Sequence, residues 1–148
     1  MNVLSLFDGM SCGQIALDKL GIKVDNYFAS EIKPHAIKVT QDNYPNTIQV
    51  GNVEFVTKEM LSDYNIDLII GGSPCQDLTI INQKQKGLKG NKSVLFYEYL
   101  RVLRSVKPKY FLLENVASMK NIDRDTITKE LGVEPIMINS SLLSAQHR

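Results

Sequence analysis

Apolar and polar positions alternate along the chain in short blocks. Val3-Leu4-Ser5-Leu6-Phe7 is an apolar run of strand length. Asn26-Tyr27-Phe28-Ala29-Ser30, Thr47-Ile48-Gln49-Val50, Asp67-Leu68-Ile69-Ile70, Tyr110-Phe111-Leu112-Leu113 and residues 135–139 repeat the pattern, which predicts six strands. Stretches with helical spacing lie between them. Residues 14–20 carry Ile15, Ala16, Leu17 and Leu20, with Gly21 placed as a C-terminal stop. Residues 34–44 predict a second helix with Pro34 in its first turn, and residues 58–64 a helical turn. A helix capped by Ser93 and running to about residue 106 sets Phe96, Tyr99, Leu100 and Leu103 on one face, with Pro108 just beyond. A last helix over 125–131 stops at Gly132. Alternating strands and helices predict an α/β domain with a mostly parallel sheet and helices on both faces. Residues 73–92 lack periodicity and read as one long polar loop. Loops beyond about 12–15 residues are uncommon and usually functional.

The length of 148 residues fits one domain with one core, without room for a second large domain. An apolar fraction of 43% and a charged fraction of 22% exclude a disordered chain or a disulfide scaffold. No apolar run approaches the ~20 residues of a membrane span. The first residues also lack the pattern of a secretory signal, so a cytoplasmic location is expected. The net charge of +1 is an average. Residues 1–74 hold five basic and nine acidic side chains, and residues 75–148 hold twelve and seven. Lys84, Lys86, Lys89 and Lys92 cluster without an acid among them. That cluster is either a solvated loop or one that faces a polyanion. Cys12 and Cys75 read as free thiols, and with the distant His35 and His147 they show no zinc-ligand spacing. Both histidines read as surface residues.

Ligands of open α/β sheets bind beyond the C-terminal ends of the strands. After the first strand, Phe7-Asp8-Gly9-Met10-Ser11-Cys12-Gly13 leads into a helix. Gly9 and Gly13 let a backbone approach a ligand or simply make a tight turn. No GxGxxG is present, which argues against a dehydrogenase. The second strand ends at Ser30-Glu31, where nucleotide-type folds place an acid for a ribose diol; a plain surface Glu is the other reading. The fourth runs into Gly71-Gly72-Ser73-Pro74-Cys75-Gln76, a stiff turn presenting a thiol beside the lysine cluster, a setting that favours the thiolate. Cys12, without such a setting, reads as structural. The fifth ends in Glu114-Asn115-Val116. After Tyr-Phe-Leu-Leu the carboxyl is expected in apolar surroundings, where burial favours the protonated form. A capping or salt-bridged Glu is the alternative.

In this order the segments resemble the DNA (cytosine-5) methyltransferase family, through essentially the whole chain. Phe7, Asp8, Gly9, Ser11 and Gly13 look like its cofactor loop, Glu31 with Ile32 like its ribose-binding acid, and Gly51-Asn52-Val53 like its adenine-contacting segment. Gly72-Ser73-Pro74-Cys75-Gln76 resembles the nucleophile loop, and Leu95-Phe96 the hydrophobic wall of the cofactor pocket. Glu114-Asn115-Val116 resembles the acid motif, and Gln146-His147-Arg148 the start of a Gln-x-Arg-x-Arg motif. The resemblance implies a Rossmann-like class I S-adenosylmethionine-dependent methyltransferase sheet, truncated at its C-terminal edge. Residues 1–148 would form the catalytic and cofactor-binding domain, without a target-recognition domain.

The implied reaction transfers a methyl group from S-adenosylmethionine to C5 of cytosine in double-stranded DNA, leaving S-adenosylhomocysteine. The base would be flipped out of the duplex. Cys75 would attack C6, Glu114 would bond N3 with help from Asn115, and Arg148 would join the catalytic set. The lysine loop would close over phosphates. Asn52 stands where the family commonly has Asp, which leaves an acceptor with less charge. The expected partners are DNA, a second chain carrying target recognition, and a further copy of the chain itself; none is a membrane. In a prokaryote or phage the location would be the nucleoid. Two other readings stay open: a noncatalytic remnant that binds cofactor or pairs with an intact enzyme, and a tRNA cytosine-5 methyltransferase.

Overall fold

The computed structural model describes residues 1–74, Leu88 and residues 95–142. Five strands form one sheet: β1 (Asn2–Leu6), β2 (Asn26–Ser30), β3 (Ile48–Gln49), β4 (Ile66–Gly72) and β5 (Tyr110–Glu114). Their order is β3-β2-β1-β4-β5, and every pair is parallel. Four helices accompany them: α1 (Cys12–Lys19), α2 (Pro34–Asn43), α3 (Leu95–Val106) and α4 (Asn121–Leu131). Single 3-10 turns lie at Val53–Phe55, Glu59–Leu61 and Ser140–Leu142.

Strand side chains alternate between faces, and each face has its own core. Leu4, Leu6, Phe28 and Ile69 pack with Val53, Val56 and Leu61 and with Tyr99 and Val102 of α3. Val3, Tyr27 and Ala29 turn the other way and pack with Leu17 of α1. A third cluster joins Phe96 and Leu100 of α3 to Leu88, with Ile127 and Leu131 of α4 against it. Helices on both faces of a parallel sheet are therefore present. Only Leu17 of the apolar set on α1 is buried; Ile15 and Leu20 are exposed.

Gly21 stops α1 as its sequence predicts. It sits at φ 66°, its N–H donates to Asp18 O, and Ile22 N–H donates to Leu17 O, the paired bonds of a Schellman motif. Gly132 at φ 70° ends α4 in the left-handed region as well. This helix begins at Asn121, four residues before the predicted start. Its N-cap, Lys120, makes no side-chain cap, so the sequence carries no start signal there.

The predicted sixth strand is not a strand. Residues 134–139 have no regular structure, and Ile136, Met137 and Ile138 are 85%, 73% and 80% exposed. An apolar run becomes a strand only against a partner ladder, and this one has none among the described residues. The predicted cap Ser93 and all of the predicted loop except Ser73, Pro74 and Leu88 lie outside the described residues. No helix among the described residues is long and apolar enough to cross a membrane.

Candidate functional site

Parallel pairing sets the C-terminal ends of all five strands along one edge. The chain winds outward from β1 through β2 to β3, then returns to β4 and β5 on the other side. The reversal between β1 and β4 opens a crevice there, flanked by the segments that follow these two strands.

The segment after β1 is tightly coiled. Phe7, Gly9 and Ser11 have φ of 58°, 63° and 59°. For Phe7 and Ser11 this left-handed conformation is strained, and such strain gathers at functional sites. A built polar network holds it. Tyr27 Oη donates to Asp8 Oδ1 (2.9 Å), and Ser11 Oγ donates to Asp8 Oδ2. Gln14 Nε2 donates to Thr47 Oγ1 (2.7 Å) and to Ser11 Oγ (3.2 Å). Burial and the neighbouring Asp8 charge push the Tyr27 phenol far above its ordinary value. Gly9 faces open space where a side chain would begin. Gly13 packs tightly against the protein: a Cβ there would overlap Ile70 Cδ1 and come within 2.8 Å of Tyr27 Oη. Its role is to let α1 close onto β2 and β4.

Glu31, just past β2, bridges this loop to α2. Its Oε2 accepts from Gly9 N (2.9 Å), and its Oε1 accepts from Ile32 N (2.8 Å) and Lys33 N (3.0 Å). Oε2 keeps a free lone pair toward the crevice loop. The Ile32 side chain is exposed. Ser30 Oγ donates to Gly51 O (2.7 Å), which anchors the next segment. Asn52 caps the 3-10 turn that follows: its Oδ1 accepts from Glu54 N and its Nδ2 donates to Glu54 Oε2. The Val53 side chain is buried in the core. Leu95 at the start of α3 packs against the same cluster, as does Phe7.

The ends of β4 and β5 are joined. Gly72 pairs in register with Glu114, and Glu114 Oε2 lies 2.9 Å from where a Gly72 Cβ would be. Asn115 Nδ2 donates to Ser73 Oγ (3.2 Å), and Asn115 Oδ1 accepts from Val116 N (2.8 Å). Ser73 is buried and Pro74 half-buried. Glu114 itself is exposed, which corrects the apolar surroundings expected for it. Alternation places Tyr110, Leu112 and Glu114 on the uncovered face of β5, so the apolar residues before Glu114 do not enclose it.

Cys12 is exposed, not a buried packing residue, because α1 turns Ser11 inward and the thiol outward. His35 is exposed, as read. Cys75, Gln76, Arg148, Gln146, His147 and Lys84, Lys86, Lys89 and Lys92 lie outside the described residues. The structure thus brings Phe7, Asp8, Gly9, Ser11 and Glu31 into one bonded unit, and Gly72, Pro74, Glu114 and Asn115 to the ends of one strand pair. The sequence does not reveal the supports Tyr27, Gln14 and Thr47, which carry no local signal of a network; Ser73 stands in the motif, but its bond to Asn115 does not show there.

The family model for C-5 cytosine-specific DNA methylases matches residues 1–133. The type II methyltransferase M.NgoBV of Neisseria gonorrhoeae is 32% identical over 133 residues, covering 87% of this chain and 31% of its own length. The DNA (cytosine-5)-methyltransferase DRM2 of Oryza sativa subsp. japonica is 36% identical over 118 residues, covering 72% and 20%. The chain therefore spans less than a third of these relatives. The crystal structure of a Spodoptera frugiperda DNMT2 mutant superposes with a TM-score of 0.69 at 24% identity, over 88% of this chain and 40% of that one. That likeness shows the shared Rossmann-like fold.

Proposed function

The chain belongs to the C-5 cytosine-specific DNA methylase family, and from that premise we propose that it supplies the cofactor-binding and chemical part of methyl transfer to cytosine C5 in DNA. The relation of Glu114 to Gly72 carries the reading. A carboxylate is seated on the backbone of β4 two residues before Pro74, and Cys75 follows Pro74 in the chain. In register, Glu114 and Gly72, three residues before Cys75 in the chain, belong to adjacent strand ends.

The residues around β1 and β2 fit S-adenosylmethionine. Gly9 leaves room for close approach, Glu31 retains acceptor capacity for a sugar hydroxyl, and Phe7, Leu95 and Val53 supply one apolar wall. Asp8, Ser11 and Gly13 shape the loop, Ile32 and Asn52 flank it, and Gly72 and Pro74 close its far side. When bound, the cofactor supplies an electrophilic methyl group. The Cys75 thiolate adds to C6 of a flipped cytosine, which makes C5 nucleophilic. Glu114 in its protonated form would donate its proton to N3 as charge develops there, and Asn115, held by Ser73, would orient the base edge. C5 would take the methyl group, leaving S-adenosylhomocysteine, and loss of the C5 proton to solvent would then expel the Cys75 thiolate. Arg148 is assigned to the base from the motif alone.

Residues 1–148 act here as one catalytic and cofactor-binding unit. Tyr110 and Leu112 on the outermost described strand, and Ile136, Met137 and Ile138, expose apolar surface of the kind that protein partners bury. The reading assigns that surface to polypeptide that carries target recognition, or to a second copy. A cytoplasmic, DNA-associated location goes with it.

The test is methyl transfer by the chain, with and without the C-terminal part of a relative, on duplex DNA and on tRNA. Transfer to DNA that is lost in Cys75→Ser, with S-adenosylhomocysteine binding kept, supports the assignment. Transfer retained in Cys75→Ser overturns the nucleophile. Transfer to tRNA alone overturns the substrate, and cofactor binding without any transfer favours a noncatalytic module.

A further inference from the structure

Arg101 projects from the middle of α3 onto the segment that follows β3. Its Nη1 donates to Val56 O (2.8 Å), and its Nη2 donates to Val53 O (2.8 Å) and Glu54 O (3.3 Å). Its Nε donates to Glu98 Oε2 (2.7 Å) one turn earlier on α3. The guanidinium thus spends its donors on three carbonyls of one short turn and one carboxylate. A planar fork with five donors suits this task, and a lysine does not. A single 3-10 turn has little stability of its own. Asn52 caps its start, and Arg101 binds the Val53, Glu54 and Val56 carbonyls along and just beyond it.

We propose that Arg101 is a positioning residue for the cofactor site: it fixes Asn52 and Val53 relative to Leu95 at the head of the same helix. This rests on the cofactor reading above. Val53 and Val56 are buried in the cluster against which Leu95 and Phe7 pack, so the three apolar residues assigned to the cofactor's wall share one body. Ser30 Oγ and the Asn52 cap hold the start of this segment, and packing holds Val53 and Val56. The three guanidinium bonds tie its carbonyls to α3 and so fix how Gly51 and Asn52 face the crevice.

The test compares wild type, Arg101→Ala and Arg101→Lys by calorimetric titration with S-adenosylhomocysteine and by amide hydrogen exchange. Arg101→Ala is expected to weaken binding about tenfold or more, the scale of lost charge-assisted bonds. Exchange should rise at Glu54, Phe55 and Val56 while β1 and β2 stay protected. Low millimolar guanidinium should restore part of the affinity, and ammonium at equal ionic strength should not. Arg101→Lys should remain impaired. Unchanged affinity in Arg101→Ala, or exchange that rises equally in β1 and β2, overturns the positioning role while leaving the cofactor site intact. Absence of binding in the wild type overturns the cofactor reading and this inference with it.

Discussion

Glu114 Oε2 lies 2.9 Å from the place a β-carbon on Gly72 would occupy, and the two residues are register partners on β4 and β5. Only a residue without a side chain lets the carboxylate rest there. Gly72 has no positive φ, so alanine fits its backbone. Gly72→Ala should therefore leave folding stability within about 1 kcal/mol, because the group it meets is the end of a flexible side chain. Displacing that end should lower kcat for DNA methylation about a hundredfold, the scale of a 1 Å misplacement. Denaturation curves together with single-turnover rates check this. Equal loss of stability and rate would point to packing alone.

Gly13 and Gly9 stand in one loop and do different work. Gly13→Ala forces a methyl group into Ile70 and Tyr27 and should cost about 1–3 kcal/mol of stability. Gly9→Ala meets nothing but sits at φ 63°, so backbone strain of about 1–2 kcal/mol is its cost. Urea denaturation measures both. Cofactor affinity separates them further, since Gly9→Ala adds a methyl group to the crevice side and should weaken binding more for the same stability loss.

Tyr27 and Tyr99 are buried phenols, and burial raises both above the ordinary value of 10.0, with the Asp8 charge adding to the effect at Tyr27. The neutral form is the one the fold holds, so their contribution is complete below pH 10. It falls as pH rises above 10, because the unfolded chain then releases protons that the folded chain keeps. Absorbance at 295 nm should show these two tyrosines ionising only as the chain unfolds. Tyr27→Phe should flatten the alkaline loss of stability. Ionisation of all six tyrosines near pH 10 in the folded protein would contradict it.

Much of this was legible in the chain. Five of the six predicted strands and all four helices form, because period-two apolar runs and glycine stops are local signals. The segment 135–139 was misread because its Ile-Met-Ile run is strand-like in composition, while strand formation depends on a neighbour that composition does not reveal. Phe7, Gly9 and Glu31 are legible as residues just past strand ends, and they follow β1 and β2 in the structure. Tyr27, Gln14 and Thr47 are not legible, since a hydrogen-bonded network joins positions 33 residues apart. Glu114 was located correctly but given the wrong surroundings, because edge-strand exposure follows from strand order and not from its neighbours in sequence.

Exposed Leu112 on β5 and exposed Ile136, Met137 and Ile138 after α4 predict association through apolar surface. Light scattering during size exclusion should show a dimer or larger species at micromolar concentration. Leu112→Lys should return it toward the monomer, since a charge on an edge strand blocks pairing. A monomer at all concentrations would contradict the assignment of this surface to a second copy.

The central claim is that the carboxyl-end crevice of this sheet holds S-adenosylmethionine, and calorimetric titration of the chain with S-adenosylhomocysteine tests it most directly. The account predicts one site per chain, weakened about tenfold or more in Glu31→Ala, where a carboxylate bonded to Gly9, Ile32 and Lys33 is removed. No heat of binding at millimolar ligand, or equal binding in Glu31→Ala, would contradict it.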